Sequence, residues 1–281
     1  MKQNLQNLTI ATALFGGLVG AAYGSGGNDH TEDPTAAHAA SAPASLSAVG
    51  AVRQTARAVI SGVGVESGIA STRANRALAA LRPRVRKLSD PDALQVAFLA
   101  YFRYQQAHPE RVRKPYLYFV DYGLGSSTPR GYVFDMKDLK LVEGPFTVAH
   151  GRGSAANGRG VPVRFSNREG SAATSLGLYV AQETYAFSGK SAGKSYRSVG
   201  LRLAGVSGKY NSRARARGVV VHGAPYVTAS RAGRSEGCPA MEQRRAARLI
   251  PQIANGGLVF LFSPRDSEWL GSDPWVQPKG A

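Results

Sequence analysis

Val219-Val220-Val221-His222-Gly223, then a loop, then Gly233-Arg234-Ser235-Glu236-Gly237-Cys238-Pro239-Ala240: the reading of the chain turns on this stretch. Consecutive valines favour a pleated, buried strand. Gly218–His222 therefore reads as a strand that carries a histidine at its end. Sixteen positions later comes Cys238, the only cysteine of 281 residues. A lone cysteine has no internal disulfide partner, so it is a packing residue, an intermolecular link or a reactive thiol. The thiol reading requires a base, because a free thiol is mostly protonated at neutral pH. A strand-borne imidazole can take the proton. Gly237 permits a tight turn and close substrate approach, and backbone N–H groups of that turn can stabilise an oxyanion. The opposing reading is ordinary packing: cysteine is often a small buried hydrophobe, and a histidine after valines is often a core residue.

Upstream and downstream of this stretch the pattern is β-rich. Tyr116–Tyr122, Gly131–Asp135, Leu139–Val142, Phe146–Ala149, Leu176–Ala181, Ser198–Leu203 and Leu258–Phe262 read as strands, with a hairpin turn at Met136-Lys137-Asp138. Arg244–Ile253 reads as a helix. A second helix is announced by Ser89-Asp90-Pro91-Asp92, a capping residue followed by Pro and an acid in the first turn. Leu94, Ala97, Phe98, Tyr101 and Phe102 make its apolar stripe, and His108-Pro109 ends it. The Ala- and Arg-rich residues 48–86 predict looser helical structure. These patterns divide the chain into a helical N-terminal region (48–111), a β-rich catalytic domain (112–272) and an extended C-terminal tail (273–281).

Lys2 is the only charge in residues 1–28, an apolar run spans Leu8 to Ala22, and Ala22-Tyr23-Gly24 offers small residues for cleavage. This is the layout of a Sec-type signal peptide over 1–24; an uncleaved N-terminal anchor is the competing reading. No later run approaches the ~18 apolar residues of a membrane span, so none is expected after cleavage. Residues 25–47 lack large apolar side chains and read as a disordered linker. The net charge of +17 expects an anionic partner. An exported chain meets acidic wall polymers rather than nucleic acid, so no nucleic-acid partner is expected. One cysteine and scattered histidines give no metal-ligand spacing, and no cofactor is implied.

His222-Gly223, a long loop and Ser235-x-Gly237-Cys238 resemble the catalytic signature of the L,D-transpeptidase (YkuD-like) family. The likeness extends from about Ser89 to about Phe262, through Pro115-Tyr116-Leu117, Val148-Ala149-His150-Gly151-Arg152-Gly153-Ser154, Phe165-Ser166-Asn167, Gly170-Ser171, Ser175-Leu176-Gly177 and Glu183-Thr184-Tyr185. It is similar to the branch known as murein L,D-transpeptidase catalytic domain proteins. The resemblance implies a mainly β, sandwich-like fold of mixed sheets with preceding N-terminal helices. It implies action on peptidoglycan stem peptides in the periplasm or cell wall, with a D-Ala-terminated donor and a diamino-acid acceptor. Cys238 would be the nucleophile and His222 the general base. The Gly223 carbonyl would orient the imidazole, and the N–H groups of Gly237 and Cys238 would receive the oxyanion. The same site with water as acceptor is an L,D-carboxypeptidase, and a vestigial site would leave a non-catalytic peptidoglycan-binding protein. The sequence leaves these alternatives and the oligomeric state open.

Two features depart from the family pattern. Pro239-Ala240 follow the cysteine, and Glu236 precedes the glycine, where its charge tends to raise the thiol pKa unless it points outward or meets Arg234. Further candidates for peptide contact are Ser235, His150, Gly151, Ser154, Ser166, Asn167, Tyr179, Tyr185 and Arg234. Arg213, Arg215 and Arg217 alternate, so they are expected on one face, where arginine forks suit stem-peptide carboxylates. Each has a structural alternative in turn formation, core packing or a solvated face.

Overall fold

The computed structural model describes residues 68–157 and 160–277. The expected signal peptide, the linker and the start of the helical region lie outside them. Residues 68–81 form a helix, α1. It is followed by a short 3-10 turn, Arg82–Arg84, and by α2, Ala93–Ala107. The strands β1 (Tyr116–Asp121), β2 (Gly131–Asp135), β3 (Lys140–Phe146), β4 (His150–Gly151), β5 (Gly177–Ser191) and β6 (Lys194–Gly205) come next. Then come β7 (Val220–Gly223), β8 (Val227–Thr228), β9 (Arg231–Ala232), β10 (Arg234–Ser235), β11 (Ala240–Met241), α3 (Gln243–Ile253), β12 (Leu258–Phe262) and α4 (Ser267–Ser272).

Eight strands make one sheet in the order β11-β7-β6-β5-β12-β1-β2-β3, and two small sheets pair β10 with β4 and β8 with β9. The large sheet is mixed: β1 runs parallel to β12 and β11 parallel to β7, while the other neighbours are antiparallel. The fold is mainly β with preceding helices, as the sequence predicts. The central strands β1 and β12 are buried almost throughout. That matches their continuous apolar runs, Tyr116-Leu117-Tyr118-Phe119-Val120 and Leu258-Val259-Phe260-Leu261-Phe262, in strands covered on both faces. The apolar stripe of α2 and the inner face of α3 join the same core. No helix among the described residues is long and apolar enough to cross a membrane.

Four local expectations are corrected. The Ser89 hydroxyl and N–H do not cap α2; both donate to the buried Asp121 carboxylate (2.6 and 2.7 Å), which ties the helix entry to β1. Leu139–Val142 and Phe146–Ala149 are not two strands. One edge strand, β3, runs through Gly144-Pro145 opposite an irregular register in β2, and an edge tolerates the missing proline N–H. The strands β5 and β6 are much longer than predicted. Ala192 and Gly193, with φ of 48° and 76°, close a two-residue hairpin between Ser191 and Lys194. Residues 273–277, the described part of the segment after Ser272, are no extended arm. Trp275 packs edge-on to Tyr104 at 4.8 Å, and Arg103 donates to the Trp275 and Val276 carbonyls.

Candidate active site

Two His-Gly dipeptides hold the cysteine turn from opposite sides. His150-Gly151 in β4 pairs in parallel with Arg234-Ser235 just before the turn. His222-Gly223 in β7 pairs in parallel with Ala240-Met241 just after it. The Ala149 N–H also donates to the Ala240 carbonyl (2.8 Å), and the Arg152 N–H to the Ser235 carbonyl (2.8 Å). Cys238 is thus suspended between two short ladders. It lies two residues upstream of the partner of His222, a step of about 7 Å along an extended chain.

Inside the turn Ser235 is the clamp. Its hydroxyl donates to the Cys238 carbonyl (2.7 Å) and accepts from the Gly237 N–H (3.2 Å). Gly237 has φ of 121°, a conformation that L side chains rarely adopt. A Cβ there would lie 2.9 Å from the Ala173 carbonyl oxygen. These contacts give Ser-x-Gly-Cys its physical reason. Gly223 is needed because α3 passes close: a Cβ would meet the Ala246 Cβ and Gln243 Cα at 2.9 Å.

The two histidines differ in electrostatic setting. His222 is buried, and its Nδ1 lies 3.1 Å from the Gly223 carbonyl oxygen. A carbonyl only accepts, so Nδ1 carries the hydrogen and the Nε2 lone pair is left to take a proton. Phe187 stacks on the ring at 4.1 Å, and Tyr226 meets it edge-on at 6.5 Å. Burial pushes the imidazole down to about 4, partly offset by the Gly223 carbonyl, so it is neutral at pH 7. His150 is fully buried, and its Nδ1 accepts from the Arg130 guanidinium at 3.0 Å. Burial, then Arg130 and Arg234, hold it down at about 3. Its base position is occupied, and its Nε2 has no partner among the described residues.

Cys238 is half-buried. Its thiol donates to the Gly218 carbonyl at 3.9 Å. Loss of hydration pushes its pKa up, the Val220 backbone and the Arg217 guanidinium pull it back, and Glu236 adds to the rise. At rest the site therefore holds a neutral thiol and a neutral imidazole.

Glu236 does not meet Arg234. Instead the Arg152 Nε donates to both of its carboxylate oxygens, at 2.7 and 2.9 Å, in the open. Ala240, in the other departure, is the fully buried residue facing His222 across the ladder. Arg213, Arg215 and Arg217 do not share a face, because residues 211–218 are turns rather than a strand. Arg213 pairs with Glu169 and Arg215 with Glu183. Arg217 reaches the Ser166 and Ala173 carbonyls (both 2.8 Å) and lies beside the cysteine turn.

Several remaining candidates hold loops together. The buried Ser154 hydroxyl accepts from the Thr174 N–H, and the Gly151 N–H donates to the Thr174 hydroxyl. The Ser166 hydroxyl accepts from the Arg168 N–H. Asn167 clips the Lys209 carbonyl and the Arg213 N–H together. The Tyr179 hydroxyl is buried against Ser175. Tyr185 is half-buried under the Arg202 guanidinium at 4.2 Å, and Arg234 reaches the Ala156 carbonyl. The sequence reading missed Phe187 and Tyr226 around His222, and Arg152 as the partner of Glu236. The alternation Tyr185-x-Phe187 and the place of Tyr226 four residues after His222 were the available signals.

Residues 86–262 match the family model described as the L,D-transpeptidase catalytic domain. The chain belongs to that family. The matched span contains both His-Gly dipeptides and the cysteine turn. Among solved structures the chain is similar to an L,D-transpeptidase from Mycobacterium smegmatis, with a TM-score of 0.32 and 15% identity over 53% of this chain and 58% of that one. It is also similar to the Ldtfm-avibactam carbamoyl enzyme, with a TM-score of 0.31 and 14% identity over 53% of this chain and 49% of that one. The match thus spans 58% of one solved chain and 49% of the other. No curated protein matches the sequence.

Proposed function

We propose that this member of the L,D-transpeptidase family is an exported cysteine acyltransferase that forms 3→3 cross-links between peptidoglycan stem peptides. The observation that carries the reading is the pairing of β11 with β7, which sets the cysteine turn against a histidine whose Nδ1 is committed to the Gly223 carbonyl. His222 Nε2 takes the Cys238 proton as the sulfur attacks the carbonyl of the third stem residue. The resulting tetrahedral oxyanion is received by backbone N–H groups. The Gly237 N–H is held by Ser235, so the Cys238 N–H is the donor left for that role in the resting state. Collapse breaks the peptide bond, and the imidazolium returns its proton to the departing D-Ala amine. An amine of a second stem then attacks the thioester, yields the cross-link and releases the thiol.

A neutral resting pair suits this order of events: the thiolate is formed as substrate arrives rather than stored. The test is incubation with disaccharide-tetrapeptide, product analysis by mass spectrometry and Cys238→Ala as control. Cysteine-dependent loss of D-Ala with dimer formation is the expected outcome. Tripeptide alone would move the assignment to an L,D-carboxypeptidase. No turnover, with Cys238 inert to a thiol probe, would move it to a wall-binding protein.

A further inference from the structure

A cavity of about 640 Å³ lies far from Cys238, between the two N-terminal helices, the segment entering β1 and the β2–β3 hairpin. Cys238 belongs to the β7–β11 edge of the large sheet, and β2–β3 forms the opposite edge. Five strand spacings separate β7 from β2, on the order of 25 Å. The two places cannot share a small ligand.

The charge around the cavity is mostly positive, with Asp138 the one acid in its lining. Arg73, Arg76, Arg113, Lys114 and Lys137 line it, and none makes an ion pair with a described residue. The nearby acids are already engaged. Asp138 pairs with Lys140 at 3.2 Å, and Asp135 accepts from the Lys137 and Asp138 N–H groups. Arg73 is held in place over the Phe102 ring at 4.3 Å. A second observation points to a ligand. Gln105 lines the cavity, and its Oε1 is buried without a hydrogen-bond partner among the described residues. A buried acceptor left unmade is unfavourable by about 1–3 kcal/mol, and a donor on a bound molecule would satisfy it.

We infer that this cavity is a binding site for an anionic, hydroxyl-bearing ligand, a sugar or polyol carrying phosphate or carboxylate groups. Unpaired cations around one concavity repel each other when it is empty and concentrate anions there. Arginine forks suit both phosphate and carboxylate oxygens, while Gln105 Oε1 requires an O–H or N–H from the ligand. A volume in the range of ordinary ligand pockets admits one or two sugar-sized units. The site stands apart from the cysteine chemistry, so its fate is independent of the transpeptidase reading.

Isothermal titration of the purified protein at low salt tests it with three probes: fructose 1,6-bisphosphate, trigalacturonate and the neutral maltotriose. At least one anionic probe is expected to bind and maltotriose to be ignored; the tighter anion identifies phosphate or carboxylate as the recognised group. Arg76→Ala combined with Lys137→Ala, two exposed positions, should weaken binding about tenfold or more. Gln105→Leu should weaken it about fivefold. Cys238→Ala should bind like the parent. Binding that the double variant leaves unchanged would mean a diffuse basic surface and overturn the site. Equal binding of maltotriose, or no binding of either anion, would overturn it as well.

Discussion

His150 and His222 are the two halves of one arrangement, and their differences explain which of them can do chemistry. Both are buried, both precede glycine, and each lies on a strand parallel to one flank of the cysteine turn. His222 gives its Nδ1 hydrogen to a backbone carbonyl and sits among Phe187 and Tyr226. Its other nitrogen stays basic. His150 gives its lone pair to Arg130. Arg130 is itself fully buried, donates to the Val148 and Leu124 carbonyls and lies over the Tyr122 ring. Burial holds this guanidinium down at about 10, still charged at neutral pH. A cation against His150 opposes taking up another proton. The same dipeptide thus leaves a ring nitrogen with a free lone pair on one side and forms a bracket on the other.

The sharpest way to break this contrast is to remove each imidazole. His222→Ala should lower kcat/KM for the stem peptide about 10³-fold with the thermal midpoint retained. His150→Ala should lower activity less than about tenfold yet reduce stability by about 2 kcal/mol, since Arg130 loses an acceptor. Equal activity losses with both folds intact would abolish the distinction. Arg130→Met should lower stability by about 3 kcal/mol in urea unfolding, because the Val148 and Leu124 carbonyls lose their buried donor.

Acid titration sharpens the contrast further. Both histidines have folded pKa values below the usual 6.5, so the unfolded chain binds more protons between the two values. Stability should therefore fall as pH drops from about 6.5 toward 4 for His222 and toward 3 for His150, by up to about 1.4 kcal/mol per pH unit for each. In His150→Leu the acid limb should be shallower and should flatten near pH 4; an unchanged slope would count against a buried neutral His150. The smallest effect is expected at Glu236. Glu236→Gln removes a charge that raises the Cys238 pKa, so alkylation near pH 7.5 should quicken by about twofold, the scale of a solvated charge. A slowing would show that the Arg152 pair positions the turn.

Much of the site was readable because it is written in short, local chemistry. A glycine that must adopt φ of 121°, a serine that clamps the following carbonyl and a histidine behind a valine run each leave a mark in the sequence. What escaped depends on partners far along the chain. Glu236 faces outward, as expected, but the cation it meets is Arg152. The alternating arginines 213, 215 and 217 suggested a strand, and the segment is turns that send each guanidinium elsewhere. Phe187 reached His222 only because β5 and β6 continue past their apolar cores into a long hairpin. Periodicity detects burial most clearly where one face is fully buried, and the outer half of that hairpin only alternates between half-buried and exposed residues.

By itself the sequence determined the mainly β class, the helix ahead of it and a Ser-x-Gly-Cys turn following a strand-borne histidine, since burial periodicity and turn chemistry are local properties. Only the tertiary structure decided what each histidine can do, where Glu236 finds its cation and how five separate basic residues come to surround one cavity. Those outcomes depend on distances between segments, which strand order and register set and which no local pattern encodes.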